Sequence, residues 1–370
     1  MQENKKYDIG ILTFWNVPNY GTFAQAYALQ RALATMNEKR DVRQIAYLNQ
    51  RHYNSYYAKL PPVGVFRKSF YKKLPSYLYK KSPYNLRRKN FLDAYKVIPH
   101  TENLSSEDLS KTEFNNVILG SDIVWDYSFD LFDHDQYLLG NNIKADSISA
   151  YAASFGTIKK KSKYPQYVND GIKKMKKISV RDENSADIVE EITGERPTIV
   201  LDPTWLWNFN EDKTIPEISY RNYMVVYGQD FSKKAIDQII EYAHSHDLKL
   251  ICLDCNNDNY EWCDILLKQY QLSPLEWIGL FKNAATIATT TYHGLTFSLI
   301  FQKKFAFFKT NFIMAKAGSF LKELGLYDLF NKEDVTIEEM LGYEWDYEKI
   351  NSVINEKRKA SYNFLKQIMV

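Results

Sequence analysis

Residues 8–36 read DIGILTFWNVPNYGTFAQAYALQRALATM, and two different periods meet inside them. DIGILTF (8–14) is an almost unbroken apolar run, the pattern of a strand covered on both faces. From Thr22 onward, Ala28, Leu29, Ala32, Leu33 and Met36 fall on one stripe at helical spacing. Thr22 with Gln25 predicts a capping box at the start of that helix. Between the two lies Asn16-Val17-Pro18-Asn19-Tyr20-Gly21, a tight turn delivering the chain from a strand end to a helix N-terminus with unsatisfied N–H groups. Its glycine spacing matches neither dinucleotide-binding nor P-loop fingerprints, and an ordinary βα turn reads equally well.

The same strand–turn–helix grammar continues along the chain. Strands are predicted at 8–14, 42–48, 115–120, 147–153, 177–180 and 198–202, then in a second series at 223–228, 248–254, 286–291 and 304–308. Ser232 opens a helix with Ala235, Ile236, Ile239, Ile240 and Ala243 on one face. Ser273-Pro274-Leu275-Glu276 combines an N-cap, a first-turn proline and an acid three residues on. Alternation of this kind predicts a doubly wound α/β fold in two sheets, with a linker near 206–222. The domains expected are 1–212, 213–345 and a terminal helix in 346–370 that packs across the junction. No internal repeat is evident.

Composition narrows the function. The chain has 370 residues, enough for two cores, with 48 Lys and Arg against 45 Asp and Glu. A net charge of +3 does not imply nucleic acid. No apolar run approaches the roughly 18 residues of a membrane span. The opening MQENKKYDIGIL lacks signal-peptide features, and three cysteines make no disulfide framework, so a cytoplasmic protein is expected. The insertion at 60–96 stands out. Residues 66–96 carry ten Lys and Arg against one Asp, with eight aromatics interleaved. Such a stretch suits anionic lipid headgroups or a charged glycan. A solvated helix whose Tyr and Phe pack inward fits it equally.

In open α/β sheets, ligands bind beyond the carboxyl ends of strands, and four segments put polar residues there. The turn at 16–22 is the first. The second is Gly120-Ser121-Asp122 with Trp125 and Asp126: Asp122 can accept a hydroxyl proton and Trp125 can stack on a sugar face. Read plainly, Asp122 is instead an N-cap and Trp125 a core residue. Third, Arg181 emerges from the strand at 177–180, where a guanidinium can fork onto a carboxylate or phosphate, or simply pair with Asp182 or Glu183. Asp202-Pro203, further on, reads as a structural turn. The fourth is Thr289-Thr290-Thr291-Tyr292-His293-Gly294, before an apolar helix. It places His293 at a helix N-terminus suited to an anion, with the side chain best tuned to move protons near neutral pH. Cys252, Cys255 and Cys263 lack the spacing of a zinc site, and no metal is expected.

Together these segments resemble the polysaccharide pyruvyl transferase family over about residues 8–330. The resemblance is carried by Ile9-Gly10-Ile11-Leu12, Asn19-Tyr20-Gly21 and Gln25-Ala26-Tyr27-Ala28-Leu29. It continues with Gly120-Ser121-Asp122 and Trp125, Tyr151 to Gly156, Ser179-Val180-Arg181-Asp182, Leu201-Asp202-Pro203-Thr204, and Tyr292-His293-Gly294 with Phe297-Ser298. It implies a GT-B arrangement of two Rossmann-like domains facing a cleft. The activity implied is pyruvyl transfer from phosphoenolpyruvate onto a sugar of a cell-surface polysaccharide or its lipid-linked precursor, giving a cyclic ketal.

On that resemblance Arg181 and His293 hold phosphoenolpyruvate, joined by Gly294 and Lys316, while His293, Arg181 and Asp122 carry the chemistry. Asn19, Tyr20, Gly21, Gln25, Ser121 and Trp125 are expected on the acceptor side. No cofactor is expected, and contact with the inner membrane face would run through 66–96. Members often read Ser-Phe-His-Gly or Arg-Leu-His-Gly where this chain has Thr291-Tyr292-His293-Gly294. Lys316 stands where an arginine is usual, keeping charge without the bidentate fork. The competing expectations are a GT-B glycosyltransferase using a nucleotide sugar, and a non-catalytic glycan-assembly protein of the same fold.

Overall fold

The computed structural model describes residues 6–57, 68–129, 134–161, 163–254, 259–332 and 334–369. The chain forms two compact units: Met1–Trp207 together with Lys357–Val370, and Asn208–Glu356. The break lies five residues before the expected 212 and divides the terminal helix between the units.

The first unit holds a six-stranded sheet in the order β2-β1-β3-β4-β5-β6. Its strands are β1 (Lys6–Leu12), β2 (Val42–Gln44), β3 (Glu113–Leu119), β4 (Lys144–Ala153), β5 (Lys177–Val180) and β6 (Thr198–Ile199). Every pairing is parallel, with Ile11 opposite Gln44 and Ile118, and Ile118 opposite Ser149. Successive side chains of a strand leave by opposite faces. Thus Val117 and Leu119 join Trp125, Phe155, Val168 and Ile172 in one core layer, while Ile118 joins Ile9, Ile11, Leu29 and Leu33 in another. Burial on both faces is what the near-continuous apolar runs required.

The helices of this unit are α1 (Tyr20–Met36), α2 (Gln50–Tyr57), α3 (Lys68–Tyr95), α4 (Ser106–Lys111), α5 (Gln166–Lys174) and α6 (Glu183–Thr193). The expected capping box at Thr22 does not form. Asn19 is the cap, its side chain accepting the Thr22 N–H at 3.0 Å, and Gln25 is released for contacts of its own. The basic-aromatic stretch is largely the helix α3, whose last turns pack inward. Phe91 lies 5.2 Å from Tyr20 and Tyr95 5.2 Å from Phe23, ring centre to ring centre. Residues 60–67 of that insertion lie outside the described residues.

The second unit holds a five-stranded parallel sheet, β11-β10-β7-β8-β9. Its strands are β7 (Tyr223–Tyr227), β8 (Lys249–Leu253), β9 (Ile265–Leu267), β10 (Thr286–Thr289) and β11 (Phe305–Phe307). Around it are α7 (Lys233–Ser245), α8 (Pro274–Asn283), α9 (Tyr292–Ile300), α10 (Asn311–Glu323), α11 (Tyr327–Asn331) and α12 (Ile337–Leu341). Ser232 and Ser273 cap α7 and α8 as their local sequences predicted, the latter with a full capping box to Glu276. Trp277, Phe281 and Phe297 interlock at centroid separations of 4.8 to 6.0 Å over the sheet. The last helix, α13 (Tyr347–Ile368), returns to the first unit, where Phe364, Leu365 and Ile368 pack with Ile9, Ile11 and Tyr151.

Strand β9 was not predicted from sequence, and β2 and β6 are shorter than expected. They end at Gln44 and Ile199, although the Ile45 and Val200 N–H groups still reach the Ile11 and Val180 carbonyls. Among the described residues, no helix is long and apolar enough to cross a membrane.

Candidate functional site

Each sheet has one topological switch point, where strand order reverses and the connections diverge to opposite faces. In the first unit it lies between β1 and β3, so the segments after those strands, 13–20 and 120–126, flank it. In the second it lies between β7 and β10, flanked by 228–230 and 290–293. Three of the four segments singled out from sequence therefore fall at the position where open α/β sheets bind ligands, and the fourth, Arg181, follows β5.

At the first switch point Asp122 is the hub. The segment before it is clamped to β4. Gly120 adopts φ +103°, and a Cβ there would sit 2.5 Å from the Tyr151 carbonyl oxygen. Asp122 itself is left-handed, with φ 77°, and its carbonyl accepts the Ser154 N–H. Thr22 donates its hydroxyl to Asp122 Oδ2 at 2.8 Å, and the Ile123 N–H reaches Oδ1 at 2.9 Å. Asp122 is therefore not a helix cap. Beneath it runs a buried chain: Ser121 Oγ donates to Gln25 Oε1 at 2.6 Å, Gln25 donates to Thr13 Oγ1, and Thr13 donates to the Ser121 carbonyl. Gln25 and Ser121 are fully buried and serve to fix the Gly120–Asp122 turn.

Arg181 does not pair with Asp182 or Glu183. Its Nη2 reaches Asp122 Oδ1 at 3.3 Å and its Nη1 reaches Asp202 Oδ2 at 3.1 Å. Asp202 is fully buried, and the Arg181 and Asp122 side chains are only 10% and 13% exposed. Asp202 also caps the short 3-10 turn Pro203–Trp205 through the Thr204 N–H and hydroxyl. Asp182 is the N-cap of α6, accepting the Ser185 N–H and the Ser154 hydroxyl. Arg181 is thus the electrostatic partner of two acids.

Several expected acceptor contacts are inside the protein. Trp125 is completely buried 5.2 Å from Phe155, so it has no face for a sugar; it is a core residue. Tyr20 is 1% exposed against Phe91, and Gly21 is buried in the first turn of α1. Of that group Asn19 alone is exposed, with its side chain committed to capping.

At the second switch point the three threonines bind the ends of β7 and β10 together. Thr289 donates to the Tyr227 carbonyl at 2.6 Å. Thr290 exchanges hydrogen bonds with Gln229, its hydroxyl donating to the carbonyl and accepting the N–H, both at 3.0 Å. Thr291 caps α9 by accepting the Gly294 N–H at 2.9 Å. Gly294 sits so close to β10 that a Cβ would fall 2.0 Å from Thr289 Oγ1. His293 is half-buried in the first turn of α9, beside Tyr292, where the helix dipole is positive. Lys316 lies on α10; its side chain lies outside the described residues.

Sequence reasoning missed His52. It lines a small cavity at the first switch point with Asn16, Asn49 and Tyr56. Burial lowers its pKa from 6.5 to about 4, against the opposing pull of Asp122, so it is neutral at physiological pH. Nothing in its local sequence marks it.

Two parallel Rossmann-like sheets, each with polar residues at its switch point, define an α/β protein of the GT-B class. Solved structures align with the chain along nearly its whole length, and the first of them below shares the fold. A UDP-GlcNAc 2-epimerase from Neisseria meningitidis aligns with TM-score 0.50 at 10% identity, over 98% of this chain and 100% of its own. A UDP-GlcNAc 2-epimerase from Methanocaldococcus jannaschii aligns with TM-score 0.48 at 11% identity, over 95% and 100%. The glycosyltransferase SnogD from Streptomyces nogalater aligns with TM-score 0.41 at 8% identity, over 99% and 100%. No curated protein matches the chain. Residues 19–311 match the family model of polysaccharide pyruvyl transferases. The chain belongs to that family and is a transferase.

Proposed function

We propose that the protein transfers the pyruvyl group of phosphoenolpyruvate to two hydroxyls of one sugar in a cell-surface polysaccharide or its lipid-linked precursor, forming a cyclic ketal. The family match carries this reading, because residues 19–311 include Asp122, Arg181 and His293. Lys316 lies five residues beyond the match.

In this reaction the methylene carbon of phosphoenolpyruvate takes a proton, and a sugar hydroxyl adds to the neighbouring cationic carbon. Phosphate leaves, and a second hydroxyl closes the ring. One hydroxyl proton ends in the new methyl group and the other departs with phosphate. We assign proton delivery or phosphate contact to His293, and anion binding to the start of α9 and to Lys316. Asp122 is the base for an acceptor hydroxyl. Arg181 acts through Asp122, because both its terminal nitrogens are committed to carboxylates.

The test is direct. Phosphoenolpyruvate raises the melting temperature, as a ligand of the native state must, and a nucleotide sugar does not. With acceptor present, phosphate release and a ketal methyl resonance appear together. His293→Ala loses about 10²–10⁴-fold in turnover with unchanged melting. Stabilisation by a nucleotide sugar alone would replace this reading with glycosyl transfer.

A further inference from the structure

The first unit has a large recess at the end of its sheet away from the switch point. It lies where α5 passes into β5 and α6 into β6, against the last turns of α13, and its described lining residues all belong to that unit. Strand β5 begins at Lys177 on the wall of the recess and ends at Val180, so Arg181 leaves by the opposite end of the same strand. The recess measures about 610 Å³, within the roughly 300–1,000 Å³ of small-molecule sites. Pyruvyl transfer makes no use of it.

Its lining is of two kinds. Met175, Val189 and Phe364 are buried apolar residues that form part of the wall. Lys173, Lys176 and Lys177 are exposed and supply three ammonium groups from five consecutive positions. Lys177 Nζ donates to the neutral Gln367 Oε1 at 2.8 Å, and neither Lys173 nor Lys176 has an ion-pair partner among the described residues. Glu195 is the one carboxylate among the described lining residues. Arg196 also lines the recess, but its Nη1 is held by Asp187 and Glu190 and its Nη2 by Glu183, acids that stand outside the lining.

Charge and size together define a ligand. Three ammoniums against one carboxylate call for an anion, and a phosphate monoester carries nearly two charges at neutral pH where a carboxylate carries one. With the Arg196 fork committed, no planar guanidinium is left for a bidentate carboxylate, while ammoniums act as point charges suited to phosphate oxygens. A bare phosphate would fill only a small part of the volume and leave the apolar wall wet. A body attached to the phosphate covers that wall and gains from it.

We infer that the recess between α5, α6 and α13 is a binding site for a phosphate monoester on a larger apolar or ring-shaped body. Lys173, Lys176 and Lys177 take the phosphate, and Met175, Val189 and Phe364 take the body. The site goes beyond pyruvyl transfer and does not depend on it. A free phosphate ester and a lipid bearing a terminal phosphate share this chemistry.

The experiment uses the full chain with isotope-labelled methionine methyls, the Met175 signal being assigned by its loss in Met175→Leu. The soluble probes are phenyl phosphate, glucose phosphate and adenosine monophosphate at constant ionic strength, each beside its dephosphorylated parent and inorganic phosphate. At least one ester shifts Met175 saturably, and its parent and inorganic phosphate bind at least tenfold more weakly. The triple variant Lys173→Gln, Lys176→Gln, Lys177→Gln, shown to be folded by circular dichroism, loses about threefold per exposed ion pair, roughly thirtyfold together. Co-flotation with phosphatidic acid vesicles, abolished in the triple variant while the soluble esters leave Met175 in place, would name the lipid as the source. If neither esters nor vesicles bind in a lysine-dependent way, or a dephosphorylated parent shifts Met175 equally, the site is wrong. Loss of the Met175 shift in His293→Ala would also overturn it, by placing the ester at the second switch point instead.

Discussion

Replacing Arg181 with methionine separates its two conceivable roles. A ligand-binding arginine on an open surface changes stability by about 0.5 kcal/mol or less when replaced. Arg181 is not of that kind. Its side chain is 10% exposed and bridges Asp122, 13% exposed, to Asp202, which is fully buried. Asp202 keeps the Thr204 N–H and hydroxyl on Oδ1, but its Oδ2 loses its cation. Removing one member of a buried ion pair typically costs about 3–5 kcal/mol, because the remaining charge has lost both water and partner. Arg181→Met should therefore destabilise the first unit by that amount. Adding Asp202→Asn removes the stranded charge and should recover about 2 kcal/mol, a coupling expected only of groups in contact. Urea unfolding gives the totals. Hydrogen exchange gives the location: peptides covering 113–125 and 198–206 lose protection, and those covering 286–301 do not. An Arg181→Met protein within about 1 kcal/mol of the parent would refute the reasoning and return Arg181 to the donor role that the family resemblance implies.

Two further outcomes follow from packing and titration. Gly294→Ala places a methyl 2.0 Å from Thr289 Oγ1 and 2.8 Å from Thr291 Oγ1, so the first turn of α9 must move, at about 1–3 kcal/mol. Gly318→Ala in α10 meets nothing nearer than 3.4 Å and should gain about 0.5–1 kcal/mol; equal melting temperatures for the two variants would contradict the α9 geometry. His52 titrates at about 4 in the folded chain against 6.5 in the unfolded one, the difference caused by burial. As pH falls below 6.5 the unfolded chain takes the proton first, so stability is present above that pH and declines toward pH 4, by roughly 3 kcal/mol in full. In His52→Gln, urea midpoints measured from pH 7 to pH 4.5 should lose that component of the slope; an unchanged slope would place His52 in solvent.

Much of this protein was legible locally. A strand buried on both faces needs an apolar run, and a helix against a sheet needs a stripe at helical spacing, so both patterns are written into short windows. Ten of the eleven strands among the described residues were foreseen in this way. The caps at Ser232 and Ser273 were equally plain, since a cap and its partner lie three residues apart. Strand β9 escaped because Ile265–Leu267 is three half-buried residues with too little pattern to read. At Thr22 the local rule failed because Asn19, three residues earlier, met the same N–H, while Gln25 found Ser121 across 96 residues of chain.

The residues of the candidate site were found as types at strand ends, but their employment was settled only by the fold. Trp125 reads alike as a sugar platform or a core residue, and only packing against Phe155 decides for the core. Arg181 has acids beside it in sequence, yet its partners stand 59 and 21 residues away, brought to it by parallel pairing of β3, β4 and β5 and by the turn after β6. His52 had no signal at all, because a histidine's solvation depends on what the rest of the chain lays over it. Hydrophobic period acts between near neighbours and survives in a one-dimensional record. Desolvation and ion pairing act between groups that the record separates, and they take their values only once the sheet has assembled.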